Sequence, residues 1–353
     1  MKKIALIPIY NSLEQNRIFD NSNVRDNILE PMEKLKLSFE NLGLSLNTND
    51  INSIESSDAF LFYRIDLKLI LKLFLSRKLK KSIYLPLEPE IVDQFHSNKN
   101  LKIISKIFGK TLTWNDEIIN KERIYKCYWV MPYQRQKFAV DFNDKKLLVN
   151  ISGNKTSKGS YELYSERLKT ISYFENNYLD ELDLYGIGWD EINHPCYKGI
   201  VENKSDVLKN YKFAVCYENM ENIEGYITEK MFDCFYANTV PVYWGAKNID
   251  KYVPTECFVN RMDFKDNETL REYLVNMSES DYNEKINAIN NYLESEKYKL
   301  FLPKNYADTI FLNLKNIEEV KYSTIEALVS ISKYTFLKLK LNFKEKIFSI
   351  IKR

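Results

Sequence analysis

The stretch YKFAVCYENMENIEGYITEKMFDCFYANTVPVYWG, residues 211–245, sets the architecture of the chain. It opens on an apolar run, YKFAVCY (211–217), with the length and composition of a strand buried on both faces. Ile227, Met231, Cys234 and Phe235 then recur at i, i+4, i+7 and i+8, one buried face of a helix starting about 226–228, with Thr228 placed to cap it. TVPVYWG (239–245) is a second strand. A strand, a helix and a strand in so short a span make a βαβ unit, which requires a parallel sheet. The connecting loop, ENMENIEGYITEK (218–230), holds four glutamates and one lysine. Loops that leave a strand and open a helix bind anions through unpaired backbone N–H groups. The helix dipole favours Glu229 in the first turn and disfavours Lys230, so the lysine calls for an anion nearby.

The same alternation continues on either side of this unit. Upstream lie the strand KKLLVNIS (145–152), a helix about 161–178, the strand ELDLYGIG (181–188) and a short helix about 205–210. A separate series fills the first 150 residues: KKIALIPIY (2–10), a helix about 26–40, DAFLFYRI (58–65), a basic helix 66–81 and SIYLPLEP (82–89). Two series of this kind predict two Rossmann-like α/β halves. The pattern turns helical beyond Arg261, so the expected division is 1–144, 145–312 and a helical tail, 313–353. Ligands of open α/β sheets sit beyond the carboxyl ends of strands, here the residues after YLPL, LLVNIS, LDLYG and AVCY.

Composition removes several functions. No apolar run reaches the length of a membrane span, and the apolar part of MKKIALIPIY is too short for a signal peptide. The five cysteines are scattered and never form a CxxC pair, which fits core thiols in a reducing cytoplasm. Only His96 and His194 are available, too few for a histidine metal site or a Ser-His-Asp triad, and both are expected on the surface. Residues 333–353 carry six Lys and one Arg against one Glu, a local +6 that leaves about −4 for the rest of the +2 chain. That asymmetry argues for a basic tail with its own partner and against a nucleic-acid-binding body. ISGNKTSKG (151–159) lacks the GK[ST] ending of a phosphate loop, no GxGxxG follows a strand, and no Asp-x-Asp pair is present to carry a nucleotide sugar's metal.

Residues 211–264 resemble the signature of the family 10 glycosyltransferases, the α-1,3/α-1,4-fucosyltransferases, whose pattern runs YKF-x-x-x-x-ENS, GY-x-TEK, VPV-x-x-G and P-x-x-F. Met220 stands where the family usually has serine. Weaker similarity covers LYSERLKTISYF (163–174) with LDLYG (182–186), NKSDVLKNYKF (203–213) and IYLPLEPEIV (83–92). The resemblance implies GT-B architecture, with two Rossmann-like domains facing a cleft, GDP-fucose as donor and inversion at the sugar carbon. It also assigns residues. Glu88 matches the catalytic glutamate, with Glu90 as its neighbouring rival. Arg167 and Lys230 match the diphosphate ligands, Glu229 the glutamate on the ribose hydroxyls and Tyr226 the tyrosine at the phosphates. Glu218 and Asn219 match an EN pair placed near the fucose, and Lys204 a further lysine. Thr228 belongs to the same donor segment.

A single displacement needs a base for the acceptor hydroxyl and cations for the departing diphosphate, and Arg and Lys can serve in place of a metal. No cofactor is expected to be required, a divalent cation such as Mn2+ or Mg2+ being at most stimulatory. Phe336, Leu339, Phe343, Ile347 and Ile350 fall at helical spacing with Lys338, Lys344 and Lys346 on other faces, the pattern of a membrane-surface helix. The basic stretch 66–81, with Lys68, Lys72, Arg77, Lys78, Lys80 and Lys81, is a second candidate contact. The expected setting is the cytoplasmic face of the inner membrane, with an oligosaccharide or lipid-linked glycan as acceptor and no nucleic acid as partner. The rival readings are transfer of another GDP-sugar and a membrane-attached glycan-binding protein without catalysis.

Overall fold

A computed structural model of the protein describes residues 2–22, 24–132 and 140–351, with side chains as far as Phe343. The chain divides into two units, one of Met1–Phe19, Lys36–Cys127 and Ala307–Arg353, the other of Asp20–Leu35 and Tyr128–Tyr306. This differs from the division at 144/145 and 312/313. The C-terminal helix Thr324–Ile351 carries Ile331 and Tyr334 into the core of the first unit, so the tail is not a separate body.

The first unit is a six-stranded sheet of β1 (Lys3–Ile7), β2 (Ser45–Thr48), β3 (Ala59–Phe62), β4 (Ser82–Tyr84), β5 (Lys110–Thr113) and β6 (Ile124–Lys126). The order is β2-β1-β3-β4-β5-β6 and every pairing is parallel. Its core stacks Tyr84 on Phe108 at 4.9 Å between ring centres, with Phe62 tilted against Phe108 at 5.1 Å. The sequence shows β1, β3 and β4 as apolar runs; β2, β5 and β6 carry no such signal. In β5, Lys110 and Thr111 are buried, and the Lys110 ammonium donates to Asn313 Oδ1 at 3.2 Å.

The basic helix expected over 66–81 ends at Leu75, and Arg77 turns the chain with φ +56°. Four lysines of the stretch 66–81 are engaged within the protein. Lys78 donates to the carbonyls of Ile54, Glu55 and Ser57, Lys72 pairs with Glu55, and Lys80 and Lys81 pair with Glu318.

The second unit is a five-stranded parallel sheet of β7 (Lys146–Ile151), β8 (Leu182–Tyr185), β9 (Tyr211–Tyr217), β10 (Val240–Trp244) and β11 (Val259–Asn260), in the order β11-β10-β9-β7-β8. The winding reverses between β7 and β9, which makes their carboxyl ends the switch point where such sheets bind ligands. Here β8 closes against the end of β7: Ser152 donates its N–H to Tyr185 O, and Trp189 Nε1 donates to Ser152 O at 2.6 Å.

All five cysteines are buried and unpaired. The histidines are not simple surface residues: His96 is buried and His194 is half-buried against Glu175. Among the described residues no helix is long and apolar enough to cross a membrane.

Gly186 sits where β8 meets β7, at φ +136°, and a Cβ there would lie 2.0 Å from Ser152 O. Gly186→Ala is expected to cost about 2–4 kcal/mol, strain and overpacking acting together, and to lower the urea midpoint accordingly.

Candidate functional site

The site is built on the carboxyl end of β9. Glu218, the first residue beyond the strand, is fully buried and donates its N–H to Trp244 O of β10. Its carboxylate accepts three hydrogen bonds, from Thr228 N (2.8 Å), Thr228 Oγ1 (2.7 Å) and Lys230 Nζ (2.8 Å). The buried charge thereby has donors on both of its oxygens. Thr228 occupies the N-cap position of the helix Glu229–Tyr236 but does not cap it with its side chain. The sequence reading expected that cap; the buried carboxylate draws the hydroxyl away because an ionised acceptor makes the stronger bond. The helix therefore opens without a side-chain cap from Thr228; the Glu229 carboxylate takes its own N–H, and the other first-turn N–H groups suit an anion.

Arg167, in the first turn of the helix Tyr164–Asn177, reaches the same strand end from the other side. Its Nη2 donates to Tyr217 O at 2.8 Å and Glu218 O at 3.3 Å, and the guanidinium lies 5.6 Å from the Tyr164 ring centre. The start of this helix is tied down by Leu163 N to Asn219 O and Glu221 N to Tyr161 O, so the arginine is buried rather than solvent-facing. Burial pushes its pKa down, yet a guanidinium keeps its charge.

Lys204 opens the short helix Lys204–Leu208 and pairs with Asp233 at 2.7 Å, while its backbone N–H donates to Asp26 Oδ1. Burial alone would lower its pKa, but Asp233 and Glu229 hold it above the usual range. Burial pushes Asp233 up to about 6. For Glu229, burial opposes ionisation, and the charges of Lys230 and Lys204 outweigh it to leave the pKa below the ordinary value. Lys230 is desolvated too, and Glu218 and Glu229 more than compensate.

Arg167, Lys204, Lys230, Asp233 and Ser152 all line one small pocket at the ends of β7 and β9. A second cavity shares Arg167 and is walled by the loop after β7, Gly153–Ser157, with Trp189. The sequence reading missed Ser152 and Asp233. Ser152 had a signal, as the last residue of a strand end already expected to face ligand; its hydroxyl has no hydrogen-bond partner among the described residues.

Among the remaining expected residues, Tyr226 is buried with its hydroxyl 3.4 Å from Asn219 Nδ2, and Met220 is buried in place of the serine. Glu218, read as facing a sugar, instead holds Thr228 and Lys230. Glu88 belongs to the other unit, in the loop after β4. Among the described residues no group of three or more His, Cys, Asp or Glu is arranged to hold a metal ion.

Residues 134–298 match the model of glycosyltransferase family 10 (fucosyltransferase), C-terminal part. This segment is a family 10 glycosyltransferase domain. The chain is similar to the α-(1,3)-fucosyltransferase FucT of Helicobacter pylori, 39% identical over 74 residues, which are 21% of this chain and 15% of that protein. It is also similar to mouse 4-galactosyl-N-acetylglucosaminide 3-α-L-fucosyltransferase 9, 26% identical over 187 residues, 52% of this chain and 46% of that one. The match thus spans less than half the length of these curated relatives. A crystal structure of an α1,3-fucosyltransferase with GDP-fucose shares the fold, with a TM-score of 0.51 at 16% identity over 89% of this chain and 90% of that one. The fold is accordingly of the GT-B kind, and Arg167, Lys204, Glu218 and Lys230 all lie inside the family 10 domain.

Besides Gly186, that domain has a second position with no room for a side chain. A Cβ at Gly245 would meet Glu218 Cγ at 2.5 Å and Tyr243 Oη at 2.6 Å. Gly245→Ala is expected to cost about 1–3 kcal/mol in urea unfolding.

Proposed function

We propose that the protein is an inverting fucosyltransferase that moves L-fucose from GDP-fucose to the 3- or 4-hydroxyl of N-acetylglucosamine in a surface glycan such as a lipopolysaccharide O-antigen. The observation that carries this reading is the gathering of Arg167, Lys204 and Lys230 on one pocket at the strand switch point, inside a family 10 domain. The similar fold solved with GDP-fucose supports the choice of donor.

In this reading Arg167 and Lys230 hold the diphosphate, aided by the open N-terminus of the helix Glu229–Tyr236, and stabilise the charge that develops as the glycosidic bond breaks. Glu229 accepts from the ribose hydroxyls, and Tyr226 and Asn219 complete the wall of the donor site. Glu88 takes the proton of the acceptor hydroxyl as that oxygen attacks the anomeric carbon from the face opposite the departing GDP. Two cations and a helix terminus serve where other nucleotide-sugar enzymes use a metal, so no divalent ion is required and Mn2+ or Mg2+ is at most stimulatory.

Glu88→Gln is expected to lower kcat by about 10²–10⁴ while leaving GDP affinity unchanged. Assay across a panel of GDP-sugars, with linkage analysis of products on β-galactosyl-N-acetylglucosamine acceptors, tests donor and regiochemistry together. Absence of turnover with GDP-fucose would remove the donor assignment.

We further propose that the protein works at the cytoplasmic face of the inner membrane, on an oligosaccharide or lipid-linked acceptor. Phe336, Leu339 and Phe343 are all strongly exposed along one helix, with Lys333, Lys338 and Lys340 interspersed. Lys344, Lys346, Ile347 and Ile350 lie outside the described side chains. The stretch 66–81 contributes less than its sequence suggests, since Lys72, Lys78, Lys80 and Lys81 are engaged within the protein. Basic residues near an anionic surface contribute about 1 kcal/mol each. The protein should co-sediment with phosphatidylglycerol vesicles in low salt, and Phe336→Ser with Leu339→Ser should abolish this without changing turnover of a soluble acceptor.

A further inference from the structure

His96 is a buried histidine to which the proposed mechanism gives no part. It ends a short 3-10 turn, Gln94–His96, whose first bend is fixed by Asp93 Oδ1 accepting from Phe95 N at 2.9 Å. Its Nδ1 lies 2.6 Å from Glu88 O and its Nε2 lies 2.8 Å from Tyr84 Oη. A carbonyl oxygen can only accept, so Nδ1 carries the proton; in the neutral ring Nε2 is then the acceptor, and the Tyr84 hydroxyl donates to it. One tautomer is selected. Asp93 Oδ2 stands 3.5 Å from Nε2, and Tyr334 of the C-terminal helix is close enough to Tyr84 and Asp93 to raise the pKa of Tyr84 and to have its own raised by Asp93, after burial in each case.

The segment around Glu88 is held at three successive carbonyls. Leu87 O accepts from Trp114 Nε1 at 2.6 Å, Glu88 O from His96, and Pro89 O from the N–H groups of Val92 and Asp93, each at 3.0 Å. Pro86 and Pro89 restrict the dihedrals on either side of Leu87–Glu88. Of the three anchors, His96 is the one on Glu88's own carbonyl.

We propose that His96 is a positioning residue for Glu88, its Nδ1–H holding the Glu88 carbonyl and its Nε2, gripped by Tyr84, fixing the ring that does so. The proposal rests on the reading of Glu88 as the base. A base has to lie within hydrogen-bond reach of the proton it takes, and a misplacement of about 1 Å can cost about 10²-fold in rate.

The test measures kcat, KM for GDP-fucose and GDP affinity for His96→Phe, His96→Asn, Tyr84→Phe, Glu88→Gln and the double variant Glu88→Gln/His96→Phe, all in the full chain. His96→Phe loses both hydrogen bonds and is expected to lower kcat by about 10- to 100-fold with KM for the donor and GDP affinity unchanged. His96→Asn places an amide N–H near the Nδ1 position and is expected to recover most of that loss. His96→Phe is expected to add little once Glu88 is already Gln, because a positioning residue acts only through the group it positions. Wild-type kcat in His96→Phe overturns the proposal, as does His96→Asn as impaired as His96→Phe, or a full extra loss in the double variant. If His96→Phe does not fold, Tyr84→Phe decides, since it removes a single hydroxyl: a fall in kcat at constant GDP affinity supports the proposal and wild-type kcat overturns it. Full activity of Glu88→Gln would instead remove the base reading, and this inference with it. Loss of activity in Glu88→Gln with wild-type kcat in His96→Phe removes this inference alone.

Discussion

The pocket at the ends of β7 and β9 depends on one buried carboxylate. Glu218 has no solvent exposure, and a charge taken wholly out of water is tolerated only where its lone pairs are matched by donors. The match comes from Thr228, through both its N–H and its hydroxyl, and from Lys230. Each bond has a consequence for the pocket. The hydroxyl bond keeps Thr228 from capping its own helix, leaving the helix end open; the ammonium bond holds Lys230 where it lines the pocket; the backbone bond fixes the angle at which the helix leaves the loop. Arg167 completes the arrangement by bridging the carbonyls of Tyr217 and Glu218, so the strand end is held by its carboxylate and by its peptide oxygens.

Much of this architecture was legible in the sequence. The apolar runs of β1, β3, β4, β7, β9 and β10 are visible because both faces of a parallel sheet are covered, and such strands read as continuous hydrophobic stretches. β2, with its sequence SLNT, and β5, with KTLT, were not legible for the complementary reason: their polar side chains are satisfied by partners distant in the chain. Asn47 Oδ1 of β2, for example, accepts from Asn16 Nδ2 and Lys36 Nζ, and Lys110 of β5 reaches Asn313. Nothing in local composition announces a contact of that range. The C-terminal helix misled in the same way. Its exposed Phe336, Leu339 and Phe343 show in the pattern, but that Ile331 and Tyr334 close the first unit's core depends on residues some two hundred positions away.

In the site, residue types and the family resemblance located the right segment but could not assign orientation. Glu218 and Glu229 are alike in sequence and opposite in setting, one sealed behind Thr228, the other half-buried between two lysines. The difference arises from Gly245, whose missing Cβ provides the space that Glu218 Cγ occupies. His96 was expected on the surface because an isolated histidine carries no periodic pattern that announces burial. Its burial is created by Tyr84 on β4 and by the packing of Phe95 against Tyr334.

The pocket's charge explains how three cations can be gathered without a ligand. Arg167, Lys204 and Lys230 are each positive, and bare repulsion among them in a partly dry pocket would oppose folding. Glu218, Asp233 and Glu229 offset them one for one, so the ligand-free pocket is close to neutral when all six groups are ionised. What the pocket offers an anion is then less net charge than donors left over. Lys230 has three N–H bonds, of which Glu218 and Thr228 take two, and Arg167 uses only Nη2 on the strand carbonyls. Asp233 makes this balance depend on pH. Burial pushes it up to about 6, so as pH falls through that value it gains a proton before Glu229, which is held below the usual range. The pocket then becomes more positive, which places a pH sensitivity in Asp233 and its ion pair with Lys204.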